Sequence, residues 1–384
     1  MKAHFYDKLR LGILGGGQLG RMLLQKATDY NISSSVLDPD PDAPCRYLTD
    51  DFVQGSFNDF DTVYNFGKNT DILTIEIEHV NVDALSLLEK EGLIVFPQAR
   101  IISLVQDKGS QKVFFRTHGI PTAEFHLIDS VEHIGRYAAM FPCMQKLRKG
   151  GYDGRGVMKL NNLSDIGSAL IGPSIIEKLI DFEREISVIV ARNQKGETSA
   201  YPPVDMEFNK EANLVEYLYS PTTLEEATAQ EAIKIALKVA NELQIVGVLA
   251  VEMFITKDRK ILVNEIAPRP HNSGHQTIEA NISSQYDQHL RAILGLPQGS
   301  TQMIKPSVMI NLLGEPEHTG SAIYDGLEKV LAIEGVYVHL YGKKFTKPFR
   351  KMGHITVLDE TLEAAKLKAV KIKKMIKVLS GPDE

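Results

Sequence analysis

The sequence predicts a protein of mixed α/β and α+β class that begins with a doubly wound parallel sheet. The first hundred or so residues alternate short apolar segments with amphipathic ones, which is the order of βα units in a parallel sheet. Further along, apolar runs come in pairs around polar turns, as in antiparallel hairpins. With 384 residues the chain is long enough for two or three domains.

The composition is that of an ordinary globular protein, with 43% hydrophobic and 24% charged residues. A net charge of -6 gives no support to a nucleic-acid or membrane-surface partner. The N-terminus has no apolar core of signal-peptide length, and no stretch approaches the ~20 apolar residues of a membrane span. Cys45 and Cys143 are far apart and belong to no Cys-x-x-Cys pattern. We therefore expect a reduced, cytoplasmic protein without structural zinc.

The first predicted strand, residues 11–14, runs into a glycine-rich turn and then into a helix. Gly15, Gly17 and Gly20 fit the Gly-x-Gly-x-x-Gly pattern, and Asp38 follows the next strand at about the distance of a ribose-binding acid. Taken alone, this pattern is compatible with a dinucleotide-dependent oxidoreductase. Physically, the glycines indicate only a tight turn into a helix whose N-terminus is open to an anion or a polar ligand.

Two acids, Glu76 and Glu78, alternate with Ile75 and Ile77 at the end of another predicted strand of the parallel sheet, residues 71–77. They lie at the carboxyl end of the strand, where sheets of this kind bind ligands. The alternative is that both are solvated surface acids.

A glycine-rich hairpin is predicted in the middle of the chain. Lys146 precedes the sequence Gly-Gly-Tyr-Asp-Gly-Arg-Gly at 150–156, and a strand follows at 157–160. Glycines at this density allow backbone amides to close over phosphate, although no Gly-Lys-Ser/Thr follows as in a Walker loop. Upstream, Lys108 falls early in a helix predicted over 101–118, and by itself would pass for a surface lysine.

Two glutamates are predicted to face each other on a later hairpin, whose apolar strands are joined by the charged turn 257–260. If those four residues form the loop, Thr256 faces Ile261 and Glu252 lies directly across from Glu265. Facing carboxylates repel unless a cation lies between them, and Mg2+ takes oxygen ligands from one or two carboxylates, water and substrate phosphates. The alternatives are a register shifted by one residue, or a Lys or Arg partner for one glutamate.

The C-terminal part is predicted to contain a short helix near 322–327 and a final helix over 360–379. Between two strands, 336–341 and 353–358, five cations fall close together without an acid. These cations are Lys343, Lys344, Lys347, Arg350 and Lys351. Such a cluster indicates a phosphate site, and the alternative is a solvated hairpin tip.

Two of these segments resemble a known family. The loop at 150–156 matches the phosphate-covering loop of the ATP-grasp ligases residue for residue, and Glu-Ile-Ala-Pro-Arg-Pro-His-Asn-Ser-Gly-His at 265–275 resembles their metal and substrate segment. The His-Asn-Ser-Gly-His ending is most similar to the 5-(carboxyamino)imidazole ribonucleotide synthases of purine biosynthesis. Formate-using relatives have a loop closer to His-Asp-Thr-Gly. The resemblance extends from Gly15 to Arg350.

The resemblance implies an ATP-grasp fold of three domains. These are an N-terminal Rossmann-like domain at 1–100, a central ATP-grasp domain at 101–305 with a lid at about 120–180, and a small C-terminal domain at 306–384. It also implies ATP and one or two Mg2+ ions as cofactors, 5-aminoimidazole ribonucleotide and bicarbonate as substrates, and a homodimer.

Individual roles also follow from the resemblance, with Glu252 and Glu265 as metal ligands and Lys108 and Lys146 on phosphates. The other implied nucleotide-binding residues are Gly151, Tyr152, Asp153, Gly154, Arg155, Gly156, Val157, Glu177, Lys178, Leu179, Ile180, Glu185, Asn264 and again Glu265. The implied substrate-binding residues are Gln18, Leu19, Glu76, Tyr152, Arg155, His271, Asn272, Ser273, Lys343, Arg350 and Lys351. The implied catalytic residues are Tyr152, Asp153, Arg155, Arg269 and His275.

On the nucleotide side, the strand ending at Ile180 would meet adenine through backbone groups, and Glu185 would accept the ribose hydroxyls. Glu185 could instead be a solvent-facing strand residue. The family commonly has Glu-Asn-x-His after a Tyr-Pro pair, whereas here Asp-Met-Glu-Phe stands at 205–208. The nucleotide-side histidine is therefore missing, and Phe208 is not counted among the site residues.

Three other functions compete with this one. A formate-dependent glycinamide ribonucleotide ligase shares most of the residues and differs chiefly at Asn272, Ser273 and His275. A dinucleotide oxidoreductase accounts only for the N-terminal glycine turn. A non-catalytic purine-nucleotide sensor would require loss of the metal site, whereas both glutamates are present.

Overall fold

The computed structural model describes residues 9–151, 156–209 and 214–381. Its N-terminal part is a five-stranded parallel sheet, which confirms the predicted fold class for this region. In spatial order its strands are Asp51–Gln54, Ser33–Asp38, Arg10–Leu14, Ile72–Ile75 and Ile94–Val95. The chain leaves the central strand, Arg10–Leu14, for one side of the sheet and later returns to the other. Ligands bind parallel sheets at such a switch point, beyond the carboxyl ends of the strands.

The helices of this part are Gln18–Asp29, Phe60–Gly67, Val82–Lys90 and Ala99–Val105. Two of them begin at polar caps, because the side chains of Asp59 and Asn81 each accept a hydrogen bond from the backbone N–H of the third residue of the helix.

The single helix predicted over 101–118 is two helices, Ala99–Val105 and Lys108–Thr117. Asp107 separates them, because its side chain accepts hydrogen bonds from the N–H groups of Gly109 and Ser110 and so caps the second helix. Lys108 therefore stands at the first position of a helix.

A four-stranded antiparallel sheet follows, which we call the lid sheet. In spatial order its strands are Phe125–Ile128, Ser174–Lys178, Cys143–Leu147 and Val157–Leu160. Two 3-10 helices, Val131–Met140 and Leu163–Ser168, accompany it around a small apolar core of its own.

The largest sheet has nine antiparallel strands and is called the central sheet below. In spatial order they are Ile261–Ala267, Gly247–Thr256, Phe182–Arg192, Val204–Asn209, Leu214–Ser220, Ser307–Leu313, Lys351–Leu358 and Val336–Leu340, with Thr198–Ala200 beside Phe182–Arg192. The helix Glu226–Leu243 packs its small apolar side chains against this sheet. The shorter helices Thr277–Ala280 and Gln285–Leu294 and the 3-10 helix Asn272–Gly274 follow the hairpin. The sheet continues across residue 306, where a domain boundary was predicted.

The C-terminal part differs from prediction in two places. The segment predicted as a helix near 322–327 belongs to the strand Gly320–Asp325, and the short helix comes after it, at Leu327–Leu331. The final helix spans Leu362–Met375 and is followed by the strand Lys377–Ser380. That strand pairs with Gly320–Asp325, which also pairs with Phe345–Thr346. Pairing between strands so distant in sequence overrode the local helical pattern. None of the described helices is long and apolar enough to cross a lipid bilayer.

Candidate active site

A cavity of about 960 Å3 opens between the switch point of the parallel sheet, the lid sheet and the central sheet. It brings together most of the sequence-predicted site residues. Those that line it are Gln18, Leu19, Glu76, Lys108, Lys146, Gly151, Val157, Glu177, Lys178, Leu179, Ile180, Glu185, Glu252, Asn264, Glu265, Arg269, His271, Asn272, His275 and Lys351. Elsewhere in the described part of the chain lie Gly156, Ser273, Lys343 and Arg350. Outside the described residues lie Tyr152, Asp153, Gly154 and Arg155.

Glu252 and Glu265 face each other as predicted, but for a different reason. Ile255, not Thr256, pairs with Ile261, so the register counted from the turn is wrong by one residue. A β-bulge at Asn264 restores the pairing of the two glutamates. The extra residue also serves the site, since Asn264 Oδ1 accepts a hydrogen bond from Lys146 Nζ at 3.1 Å.

The two glutamates differ in charge because of what surrounds them. Burial raises the pKa of Glu252, and the carboxylates of Glu265 and Glu185 raise it further. Lys108 Nζ lies 3.0 Å from Glu265 Oε2 and lowers the pKa of that carboxyl. The lysine partner that was an alternative to facing glutamates is therefore present together with them. Two more carboxylates, Glu252 and Glu185, thus lie near the Lys108–Glu265 ion pair, and this excess of acids favours a further positive charge.

Glu185 lines the cavity, so its solvent-facing alternative is wrong. Its strand, Phe182–Arg192, lies beside the first strand of the glutamate hairpin, with Ser187 opposite Glu252. Burial, followed by the nearby charge of Glu265, raises the pKa of Glu185 to about 7.

The glycine turn of the N-terminal sheet holds a carboxylate from the protein itself. Glu76 Oε2 accepts hydrogen bonds from the N–H groups of Leu19 at 3.1 Å and Gly20 at 3.2 Å, at the start of the helix Gln18–Asp29. A Cβ atom at Gly17 would lie 2.7 Å from Glu76 Oε1, so a larger residue there would displace this carboxylate. Asp38 accepts a hydrogen bond from the N–H of Gly16 and so holds the turn. An anion from outside would compete with Glu76 for these amides, which argues against the dinucleotide interpretation.

Two lysines share one buried carboxylate on the nucleotide side. Lys146 Nζ lies 2.6 Å from Glu177 Oε2, and Lys112 Nζ lies 2.6 Å from Glu177 Oε1. Lys112 lines the cavity but was missed in the sequence. Its position four residues after Lys108, on the same face of one helix, was the available signal.

Three aromatic side chains, Phe182, Phe208 and Phe254, also line the cavity. Phe182 and Phe254 were missed in the sequence, and leaving Phe208 out of the site was wrong in so far as it lines the cavity. Phe182 and Phe254 stack with ring centroids 4.7 Å apart. Phe208 stands where the family commonly has histidine, so this wall of the cavity is apolar.

His271 is held in one orientation next to Glu252. Its Nδ1 accepts a hydrogen bond from the Ser273 N–H at 3.3 Å, so the proton of the neutral ring is on Nε2, which lies 3.5 Å from Glu252 Oε1. Burial, with Arg269 and Lys351 adding to it, lowers the pKa of His271 to about 3. Ser273 therefore acts behind the cavity wall, and its hydroxyl lies 2.7 Å from that of Ser187.

His275 is buried between the central and C-terminal parts. Its ring stacks on His354 at a centroid distance of 4.6 Å, and its Nδ1 lies 3.1 Å from the hydroxyl of Tyr286. Burial lowers the pKa of His275 well below its usual value, so the ring is neutral.

The basic hairpin divides between two places. Lys351 lines the main cavity, whereas Lys343 and Arg350 line a separate cavity of about 120 Å3. Asp40 and Asp42 of the N-terminal part also line the smaller one. The acids that the local sequence lacks are thus supplied by another part of the chain, which the sequence could not indicate.

Three family models match the chain in order. They describe a ribonucleotide synthetase preATP-grasp domain at 9–106, an ATP-grasp domain at 113–286 and a phosphoribosylaminoimidazole carboxylase C-terminal domain at 307–368.

Two curated relatives show how far the similarity extends. The N5-carboxyaminoimidazole ribonucleotide synthase of Bacillus subtilis is 34% identical over 366 residues, which cover 94% of each chain. The chloroplastic phosphoribosylaminoimidazole carboxylase of Vigna aconitifolia is 39% identical over 363 residues, which cover 92% of this chain and 65% of the plant protein. The chain therefore spans just under two thirds of the plant relative.

Solved structures resemble the whole fold. The N5-carboxyaminoimidazole ribonucleotide synthetase of Thermotoga maritima has a TM-score of 0.90 and 42% identity, covering 97% of this chain and 100% of that one. The N5-carboxyaminoimidazole synthase of Aspergillus clavatus, in complex with ADP and 5-aminoimidazole ribonucleotide, has a TM-score of 0.88 and 34% identity, covering 96% and 99%.

Proposed function

The chain belongs to the N5-carboxyaminoimidazole ribonucleotide synthases of the ATP-grasp superfamily, and we propose on that basis that it carboxylates 5-aminoimidazole ribonucleotide with bicarbonate and ATP. One observation carries the proposal within the molecule. Glu252, Glu265, Lys108 and Lys146 line the same cavity as Gln18 and Glu76 at the carboxyl end of the parallel sheet, which supports the proposal. A nucleotide and a ribonucleotide could therefore meet end to end in one cavity.

The nucleotide end is formed by the lid sheet and the central sheet. Adenine would pair with backbone groups of Lys178, Leu179 and Ile180, and the ribose hydroxyls would donate to Glu185. Lys108 and Lys146 would bind phosphate oxygens as point charges. Lys108 stands at the start of its helix, and Lys146 reaches the bulge at Asn264, so both point toward the glutamate hairpin.

The donor set fits a hard divalent cation. Among the described residues, no three His, Cys, Asp or Glu side chains form a complete metal-binding cluster. Two facing carboxylates, Glu252 and Glu265, with substrate phosphates supplying further oxygens, match the way Mg2+ binds in phosphoryl-transfer enzymes. Magnesium, when bound, would neutralise the charge on the phosphate oxygens during transfer.

The ribonucleotide end is formed at the switch point. Gln18 and Leu19 begin the helix there, and Glu76 stands beside them. Lys351 offers a cation for the 5'-phosphate inside the main cavity, with Lys343 and Arg350 behind it in the smaller one. His271 and Asn272 line the wall between the two ends.

The proposed reaction has three balanced steps. A bicarbonate oxygen attacks the γ-phosphorus of ATP and expels ADP, which gives carboxyphosphate. Carboxyphosphate breaks into CO2 and phosphate, and the exocyclic amine of the ribonucleotide attacks CO2 and gives one proton to the released phosphate, which leaves the carbamate. Because carboxyphosphate hydrolyses readily, the protein's main tasks are to position the reactants and to exclude water.

Arg269 and the neutral ring of His275 are the described catalytic candidates. Arg269 Nη2 forms an ion pair with Glu78 at 2.9 Å, which fixes the guanidinium at the cavity wall. The roles proposed for Tyr152, Asp153 and Arg155 concern closure of the glycine-rich loop over the intermediate, and those residues lie outside the described part of the chain. The cytoplasmic location expected from the sequence and the homodimer implied by the resemblance stay predictions.

The test is release of ADP by the purified protein with each candidate pair of substrates. We expect turnover with 5-aminoimidazole ribonucleotide and bicarbonate, and loss of turnover when magnesium is chelated. Turnover with glycinamide ribonucleotide and formate instead would replace this proposal with the formate-dependent ligase.

A further inference from the structure

A buried ion triad lies at the junction of the lid sheet and the central sheet. Lys112 is 3% exposed and Glu177 is 4% exposed. The two oxygens of Glu177 lie 2.6 Å from the ammonium groups of Lys112 and Lys146, one on each side. Lys112 Nζ also donates to Thr122 Oγ1 at 2.7 Å. The triad therefore links the helix Lys108–Thr117 to two strands of the lid sheet.

The three charges do not cancel, because two ammonium groups share one carboxylate. An unpaired carboxylate in a buried site is costly, so Glu177 requires at least one cation at all times. Burial alone would raise the pKa of Glu177, but Lys146 and Lys112 together lower it, so the carboxyl is ionised. One of the two ammonium groups is therefore not needed to neutralise Glu177. It can bind a phosphate only if its lysine can reach the nucleotide.

Lys146 is the lysine that can reach the nucleotide. It is the more exposed of the two lysines, with 14% of its side chain accessible against 4% for Lys112, and it also reaches Asn264 on the glutamate hairpin. Lys112 is enclosed between Thr122, the Val263 carbonyl and Glu177. If Lys146 leaves Glu177 for a phosphate oxygen, Lys112 stays with the carboxylate.

We propose that Lys112 is a positioning residue for ATP, which holds Glu177 so that Lys146 is free to bind phosphate. The inference rests on the proposed function in one respect, the binding of a nucleotide phosphate by Lys146. Without Lys112, Lys146 and Glu177 form a one-to-one pair, and a phosphate must break that pair and leave a bare carboxylate behind.

The test compares ADP with adenosine, because adenosine has the same base and ribose but no phosphate. Lys112→Met should raise the Kd for ADP roughly 10- to 100-fold, the range expected for loss of a charged hydrogen bond, and leave the Kd for adenosine unchanged. Titration calorimetry measures both. Lys112→Arg, which keeps the charge, should bind ADP more tightly than Lys112→Met. Lys234→Met, which removes a lysine that is 79% exposed on the helix Glu226–Leu243, is the matched control and should bind ADP as wild type does.

A double variant tests whether Lys112 acts through Glu177. In Lys112→Met/Glu177→Gln the carboxylate that competes for Lys146 is gone, so ADP binding should recover relative to Lys112→Met. The double variant also contains no uncompensated buried carboxylate, which protects it if Lys112→Met alone does not fold. In that case the double variant is compared directly with Glu177→Gln, and equal ADP affinity is expected.

Three results would overturn the proposal: unchanged ADP affinity in Lys112→Met, an equal loss for adenosine, or no recovery in the double variant. An equal loss for adenosine would make Lys112 a structural tether of the lid sheet. These binding measurements involve neither bicarbonate nor the ribonucleotide. They can therefore contradict the role of Lys112 while carboxylation is observed, or support that role while carboxylation is absent.

Discussion

At the scale of single residues, the site depends on charges that other residues adjust. Lys108 lowers the pKa of Glu265, while burial and two carboxylates raise that of Glu252, its partner across the hairpin. The residue types could be predicted from the sequence, because glutamates at this spacing belong to a recognisable segment. The residues whose charges act on the site could not all be identified from the sequence. Lys112 and Glu177, for example, are 65 positions apart and come into contact only in the folded protein.

Glu185 gives the first prediction, which concerns pH. Its carboxyl has a pKa of about 7 in the free protein, and ribose hydroxyls would donate to its ionised form. Adenosine should therefore bind more tightly as pH rises from 5.5 to 7, by up to roughly tenfold per pH unit, and level off above that. Calorimetry over this pH range measures the Kd for adenosine. In the control variant Glu185→Gln this Kd should not change with pH. A pH-independent wild type would remove Glu185 from the ribose site.

The same group has the opposite effect on stability without ligand. A carboxyl whose pKa is raised by folding from 4.5 to about 7 binds more protons in the native state than in the unfolded state between those values. Its contribution is therefore present below pH 4.5 and is lost as pH rises through 7. Chemical denaturation of wild type and Glu185→Gln should converge at low pH and diverge near neutrality, with the variant the more stable.

At the scale of elements, irregular features place the functional groups. The bulge at Asn264 restores the glutamate pairing, and the break at Asp107 puts Lys108 at a helix start. Sequence periodicity predicted the hairpin and the helical region but neither irregularity, because a bulge and a cap are decided by hydrogen bonds that compete with the regular pattern. The two departures fall at the site, where local regularity is often given up for function.

The glycine-rich hairpin of the lid sheet gives the second prediction. Gly156 has φ +69°, and a Cβ atom there would lie 3.3 Å from Gly151 Cα, on the opposite side of the loop. Gly156→Val should resist this conformation and hold the loop away from phosphate, lowering kcat/KM for ATP at least about tenfold with only a small change in Tm. Gly167→Ala, at a glycine of the same lid with open space around it, is the control. Parallel losses of Tm and activity in Gly156→Val would indicate a purely structural turn.

At the scale of the whole molecule, the central sheet crosses the predicted boundary between the second and third domains. The strand Ser307–Leu313 is buried along its length and pairs with Leu214–Ser220 on one side and Lys351–Leu358 on the other. The family resemblance predicted three sequential domains, whose bounds stay a prediction, and three family models match successive parts of the chain. That the last two share a sheet could not be predicted, because strand order within a sheet depends on contacts between distant segments.

Truncation after residue 306 gives the third prediction. It would expose the edge of Leu214–Ser220, so the fragment should aggregate, and it would remove Lys351 from the ribonucleotide end of the cavity. For the same reason, the full chain should unfold in urea with the central and C-terminal parts in one transition. A soluble fragment with wild-type affinity for ADP would show that residues 9–306 form an independent folding unit.

The carboxylate of Glu76 at the glycine turn has a consequence for how proteins are classified by short patterns. Three glycines and a following acid would place this chain among dehydrogenases, yet the helix terminus they build already holds a carboxylate from a strand more than fifty positions away. The informative residue is therefore Glu76, which lies outside the short motif and is not included in a search for that motif. A search that requires both the glycine turn and an acid at the end of the neighbouring strand would distinguish two kinds of protein. In one kind the helix N-terminus binds a carboxylate of the protein, and in the other it binds the phosphate of a cofactor.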